Sequence, residues 1–355
     1  MEFIYQARPA RVIFGAGSLQ HLEREVLALG AQRAIVLCTP EQRDLAQRIV
    51  ERLGARAAGL YDRATMHVPI EIARDARAYA QSCDADCAIA IGGGSTIGLG
   101  KAIALESSLP ILAIPTTYAG SEMTPIYGLT EGGVKRTGSD ARVLPKTVIY
   151  DPELTVTLPV ELSVTSGINA IAHAAEGLYA HDANPVMSLV AEEGIRALAR
   201  GLPGVRRNAA DIASRGDALY GAWLCGMVLG NVGMALHHKL CHTLGGSFNL
   251  PHAQTHTIVL PHALAYNAAH APDAMQRIAR AIGTNDAARG LYALALDNGA
   301  PVSLKAIGMQ EADLDRAADL AAANPYRNPR PIERDGLRAL LQDAFDGSLP
   351  GSSAG

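Results

Sequence analysis

Over its first 150 residues the chain alternates short aliphatic and β-branched runs with stretches of helical periodicity, and this pattern leaves few folds open. Residues 11–15 (RVIFG), 34–38 (AIVLC), 87–91 (CAIAI) and 111–114 (ILAI) read as strands, with 57–61 (AAGLY) a weaker one and 148–151 the last. Helical patterns fall near 18–29, 41–53 and 70–82, and from the turn GGGS to residue 105. Continuous apolar runs separated by helical segments of about 10–15 residues predict a parallel sheet covered on both faces. After Pro159 the texture changes: Ala, Leu and Gly rise, β-branched runs thin out, and helical periodicity dominates through Phe345. The expected organisation is an α/β dinucleotide-binding domain over 1–155, an all-α domain over 156–346 and a flexible tail over 347–355.

Composition removes several function classes. With 48% hydrophobic residues the 355-residue chain is not a disordered one, and its 35 glycines follow no triplet period. A net charge of −4 and only 5% aromatic residues offer neither the basic footprint nor the stacking platforms of a nucleic-acid binder. Five cysteines (Cys38, Cys83, Cys87, Cys225, Cys241) form no zinc-ribbon spacing and read as reduced, mostly buried thiols of a cytoplasmic protein. The start MEFIYQARPARVIF lacks the pattern of a signal peptide. The uncharged run 218–236 approaches membrane-spanning length, but its four glycines, Asn231 and His-rich flank favour a buried helix and no membrane partner.

Two segments carry chemistry. In 88–101 (AIAIGGGSTIGLGK) a strand runs through Gly92, Gly93, Gly94 and Ser95 straight into a helix, which suits a nucleotide pyrophosphate lying against exposed N–H groups. The turn 115–122 (PTTYAGSE) can add hydroxyl donors to the same ligand. Of eleven histidines, nine lie within 173–270 and six within 237–262. Asn169 and His173 are four apart in a helical stretch, His238 and His242 repeat the spacing, and His252 follows. A metal cage and a pocket for an anionic substrate both fit that cluster.

These motifs, together with DPELTVTLP, NAIAH, LGGSFNLPH and NPRPI in that chain order, resemble the iron-containing alcohol dehydrogenase superfamily over nearly the whole chain. Within it, Tyr118, the segment from TSGINAIAHAAEG onward and Asn169 are most similar to the branch that reduces the C=C of maleylacetate, a keto-dicarboxylate, to 3-oxoadipate in aromatic-compound degradation. The resemblance implies a nicotinamide cofactor, with Gly93, Gly94 and Ser95 at the pyrophosphate and Thr116, Thr117, Tyr118, Ser121 and Thr39 lining it. It places the superfamily's metal ligands on Asn169, His173, His238 and His252, sets His242 beside the nicotinamide, and implies a homodimer. Asn169 stands where aspartate is usual, and a neutral carboxamide beside three neutral imidazoles balances no divalent charge. The expectation is therefore a site without metal. There Asn169, His173, His238, His242 and His252 are the catalytic candidates, and Asn169, His173, His238, His242 and Tyr127 hold a dianion that keeps the imidazoles protonated. Two further departures are Gly98, where aspartate is frequent, and Thr39, where an acid often selects NAD; with threonine there, NADH and NADPH are both expected. Lys135, Arg136 and Lys146 are secondary candidates for an anion. The competing activities are a metal-dependent alcohol or polyol dehydrogenase of the same superfamily, and a lyase of the dehydroquinate synthase type.

Overall fold

The computed structural model describes residues 3, 5–6, 10–132, 134–323 and 326–352, with the side chain of Lys135 outside the described residues. The chain divides into two compact units, Ala7–Leu158 and Pro159–Gly355, the latter grouped with Met1–Gln6.

In the α/β unit the strands are β1 (Arg11–Phe14), β2 (Ala34–Leu37), β3 (Ala57–Tyr61), β4 (Cys87–Gly92), β5 (Ile111–Pro115), β6 (Ile126–Glu131), β7 (Val134–Ser139) and β8 (Thr147–Tyr150). Six form a parallel sheet in the order β1-β8-β5-β4-β2-β3. The helices are α1 (Leu22–Ala28), α2 (Arg43–Leu53), α3 (Ile70–Ser82) and α4 (Gly94–Ser107). Strand residues alternate between two cores, as a pleat of period two requires. Val36, Ile89, Ile91, Leu112 and Ile114 pack with Leu22 and Val26 of α1 and Ile49 of α2. Ile35, Leu37 and Ala88 pack with Ala73 and Ala76 of α3 and with Leu99 and Ile103 of α4 on the other face. Both faces being dry explains why the strand runs carry no polar alternation.

The expected strands and helices of this unit are present, but the antiparallel hairpin of β6 and β7 was not expected. Its signal is visible in hindsight: IYGLTE and VKRTGS flank Gly132-Gly133, and Gly132 has φ +57°.

The second unit is helical throughout its regular structure among the described residues: α5 (Val160–Leu178), α6 (Pro185–Arg207), α7 (Ile212–Asn231), α8 (Leu236–Phe248), α9 (His252–Asn267), α10 (Pro272–Ile282), α11 (Ala287–Asp297), α12 (Leu314–Ala322) and α13 (Arg334–Asp346). Helix α5 is buried from Ser163 to Leu178, consistent with its apolar residues showing no single stripe. Side-chain caps start its neighbours: Asn184 Oδ1 accepts the Met187 N–H at 3.0 Å, and Asp211 accepts that of Ser214 at 3.0 Å. Helices α6 and α7 meet through glycine. A Cβ on Gly201 would lie 2.6 Å from the Ala218 nitrogen, and one on Gly221 would lie 2.8 Å from the Gly194 carbonyl.

The run 218–236 is not one helix: α7 ends at Asn231, and the chain bends by 95° into α8. No single helix among the described residues is long and apolar enough to cross a membrane, and only this bent pair passes by length and composition. All five cysteines are free, four of them buried and Cys83 half-buried. Of the tail, the structure describes residues through Ser352 and ties two of them: Tyr292 Oη donates to the Gly347 carbonyl at 2.7 Å and Ser348 N–H to that of Asp343 at 3.0 Å. Residues 353–355 lie outside the described residues.

Because the Gly201 neighbours are backbone atoms, which cannot turn aside, Gly201→Ala is expected to lower stability by about 2–3 kcal/mol. Urea unfolding measures it; an unchanged midpoint would show that α6 and α7 can separate freely.

Candidate active site

At the carboxyl end of the parallel sheet, three connections converge. β4 ends at Gly92, Gly93 is the N-cap, and α4 starts at Gly94, so the N–H groups of its first turn have no partner within the helix. Gly92 has φ +148°, and a Cβ there would meet Gln42 Oε1 at 2.5 Å, so only glycine fits. Gln42 Nε2 donates to Thr116 Oγ1 at 2.6 Å, which joins the connection after β2 to that after β5. A Cβ on Gly93 would lie 3.0 Å from Thr117 Cγ2, so the turns after β4 and β5 touch. The structure thus gathers Gly93, Gly94, Thr116 and Thr117. Ser95 lies in the first turn of α4, Tyr118 is fully buried, and Ser121 opens a one-turn 3₁₀ segment, Ser121–Met123. Thr39 sits at the N-cap of a 3₁₀ turn, Pro40–Gln42, next to Glu41, whose pKa it helps to lower. Gln42 was missed by the sequence analysis, because no motif marks it. Gly98 has a physical role: a Cβ there would stand 2.9 Å from Val68 Cγ2, so α4 approaches Val68 as an aspartate would not allow.

Tyr127, on β6, pairs with Gly138 across the hairpin and covers it: a Cβ on that glycine would lie 2.5 Å from the phenol oxygen. Arg136 is exposed and shares Glu131 at 3.7 Å, and Lys146 is exposed. Both read as surface charges.

In the helical unit the histidines do form one cluster. Helix α5 supplies Asn169 and His173; α8 supplies His237, His238 and His242; α9 supplies His252 and His256. Ring centroids are 5.1 Å apart for His173 and His238, 6.1 Å for His238 and His242, 5.0 Å for His238 and His256, and 4.2 Å for His252 and His256. Asn169, His173, His238 and His256 are buried, whereas His242 and His252 are exposed.

Glu176, one turn beyond His173, organises the group and was not singled out in the sequence. Its buried carboxylate accepts the N–H groups of Ala235 at 2.9 Å, His237 at 2.7 Å and His238 at 3.3 Å, and it meets His238 Nδ1 at 2.7 Å. A carboxylate from another helix thereby caps the first turn of α8, where the helix leaves N–H groups open. It holds the start of α8 beyond the bend, while Asp182 Oδ1 accepts the Gly233 N–H at 2.8 Å within it. With Nδ1–H donated to Glu176, His238 offers Nε2 as an acceptor, and that atom is buried without a hydrogen-bond partner. Asn169 Oδ1 and His173 Nδ1 are in the same condition. His237 Nε2 donates to the His256 carbonyl at 2.9 Å. His237 and His256 were also missed, although His256 repeats the four-residue spacing from His252.

Burial is the main cause lowering the pKa values of His173, His238 and His256 well below the ordinary imidazole range, with neighbouring histidines adding to it. His237 falls to about 3 for the same first reason. In the free site burial thus favours the neutral imidazoles; the expectation of protonated rings concerns the site with a dianion bound. Burial also raises the Glu176 carboxyl, against the pull of His237 and the three backbone donors.

Among the described residues, two groups of His, Cys, Asp or Glu bring three ligand atoms within 4.8 Å: His237 with Cys241 and His256, and Glu176 with His237 and His238. Neither is the set Asn169, His173, His238 and His252. Both include His237, whose Nε2 is committed to the His256 carbonyl.

Residues 9–152 match the family "Iron-containing alcohol dehydrogenase", and residues 163–345 match "Fe-containing alcohol dehydrogenase family, C-terminal". The chain is 66% identical over 348 residues to maleylacetate reductase of Burkholderia cepacia, covering 98% of this chain and 99% of that one. It is 57% identical over 350 residues to maleylacetate reductase of Pseudomonas knackmussii, covering 99% of each. The crystal structure of maleylacetate reductase from Agrobacterium tumefaciens superposes with a TM-score of 0.97 at 53% identity, covering 99% of this chain and all of the other.

Removing the Glu176 carboxylate leaves three N–H groups and a ring N–H without acceptors, so Glu176→Ala is expected to destabilise by roughly 3 kcal/mol or more. Glu176→Gln, which keeps one acceptor oxygen, loses less. Urea denaturation at neutral pH measures both; equal midpoints for Glu176→Ala and the parent chain would disprove the cap.

Proposed function

The chain belongs to the iron-containing alcohol dehydrogenase family, and within it we propose that it catalyses the maleylacetate reductase reaction, the NAD(P)H-dependent reduction of the C=C of maleylacetate to 3-oxoadipate. The observation that carries the reading is the buried carboxamide of Asn169, with Oδ1 unpartnered beside His173, where the family's metal-binding residues would stand.

The first turn of α4, with Gly93, Gly94 and Ser95, and the hydroxyls of Thr116, Thr117 and Ser121 are suited to hold the dinucleotide. No carboxylate occupies position 39 itself, which favours acceptance of NADPH beside NADH. A nicotinamide held there would supply the hydride for the carbon β to the substrate ketone, with the electron pair of the C=C shifting to the ketone oxygen as an enolate. Asn169 Nδ2 and a ring N–H of His173 donate to that oxygen or to a substrate carboxylate, in a buried setting where such bonds are strong. His238, fixed by Glu176, presents its unpartnered Nε2 to the site as an acceptor. His242, one turn along α8 and exposed, exchanges protons with water and delivers one to the carbon α to the ketone, completing 3-oxoadipate.

In this family a divalent iron would supply Lewis-acid polarisation from Asn169, His173, His238 and His252. These donors are all neutral, and the buried carboxylate beside them faces the α8 N–H groups. The set does not fit a charge-balanced divalent ion, and enolate formation needs hydrogen-bond donors more than a Lewis acid.

The expected result is NADH oxidation driven by maleylacetate and undiminished by a strong chelator. Activity that disappears with the chelator and returns with Fe²⁺ or Zn²⁺ would overturn the metal-free part, and metal-dependent turnover of small alcohols without maleylacetate reduction would overturn the whole. Asn169→Asp is expected to raise KM for the dianion about tenfold through like-charge repulsion and to increase bound metal. Unchanged values of both would remove Asn169 from the site.

A further inference from the structure

Lys101 is fully buried on α4, past the glycine turn, and no step above uses it. Its three N–H groups lie within reach of four oxygens of one short stretch: the carbonyls of Ser121 at 2.7 Å and Ile126 at 2.7 Å, and the carbonyl and Oγ1 of Thr124, both at 2.9 Å, which share one donor. That stretch begins at Gly120, with φ +78°, turns through Ser121–Met123 and runs into the first residue of β6, Ile126, which lies opposite Ser139 of β7. The Thr124 carbonyl is buried and must find a donor, and the same ammonium also holds the carbonyls of half-buried Ser121 and of Ile126, so that one side chain fixes the stretch at three points. Glu122, in the same turn and 1% exposed, accepts the Tyr150 phenol from β8 at 2.7 Å, and its charge offsets that of Lys101.

The same connection carries Thr116, Thr117, Tyr118 and Ser121. Its first half is fastened at the sheet, where Thr116 N–H donates to the Gly92 carbonyl at 3.1 Å and Gln42 bonds the Thr116 hydroxyl. Its second half is fastened by Lys101. We propose that Lys101 is a positioning residue for nicotinamide nucleotide binding, holding the 116–126 connection in the shape that presents its hydroxyls to the dinucleotide. The inference rests on the reading of those hydroxyls as cofactor contacts.

Lys101→Met alone would strand the Glu122 charge, so the test is the double variant Lys101→Met/Glu122→Gln in the full chain, which removes both charges together. NADH affinity is followed by fluorescence titration, beside KM for maleylacetate at saturating NADH. The expected result is a folded protein with NADH bound about tenfold more weakly and KM for maleylacetate changed less than about twofold. Unchanged NADH affinity, or an equal rise in both constants, overturns the proposal. If the double variant does not fold, Thr124→Val decides, since it removes one acceptor: NADH binding roughly threefold weaker supports the clamp and unchanged binding overturns it. Absence of NADH binding by the parent chain would instead overturn the functional reading beneath it.

Discussion

A single buried carboxylate ties the helical unit together. Glu176 lies among residues that elsewhere would make it costly, yet three main-chain N–H groups and one imidazole surround it. Those donors come from the start of α8, so the residue that stabilises the bend also sets the ring of His238. His237, on the same turn, then reaches the His256 carbonyl, and α8 is joined to α9. The cluster of rings follows from this arrangement more than from any attraction between histidines, whose mutual electrostatic influence opposes protonation.

The α/β unit solves a different problem with similar means. Its four inner strands, β8, β5, β4 and β2, are dry on both faces, so their residues are apolar almost without exception, and chemistry is confined to the ends. At the carboxyl ends of β2, β4 and β5, small residues and amides keep the backbone accessible, with Gln42 bridging two connections over a glycine that tolerates no side chain. Anion binding there depends on main-chain N–H groups, which no substitution can remove directly.

How far the sequence revealed this differs between the two halves. The parallel sheet was legible because burial on both faces writes itself as continuous apolar runs; α3 was expected over 70–82 and occupies Ile70–Ser82. The β6–β7 hairpin escaped because its residues are half-exposed and mixed, with no run to mark them. In the histidine cluster, spacing within one helix exposed His173, His238 and His242, but the partners that arrive from other helices were hidden. Glu176 looked like an ordinary helical glutamate, and the uncharged run 218–236 concealed a bend beyond which the new helix is capped by a residue about sixty positions upstream. Periodicity reports on the face a residue shows to the core; it does not report on which distant backbone a carboxylate will meet.

The glycine contact between α6 and α7 has a consequence for motion. Where two helices touch main chain to main chain, no rotamer lies between them that could change and open a gap. Loosening of such a pair requires whole helices to move apart, an event far rarer than side-chain hopping. The amides facing that seam should therefore be among the slowest in the molecule to exchange with solvent deuterium. Helix α5, buried beside them, inherits a rigid wall, and Asn169, His173 and Glu176 are mounted on it.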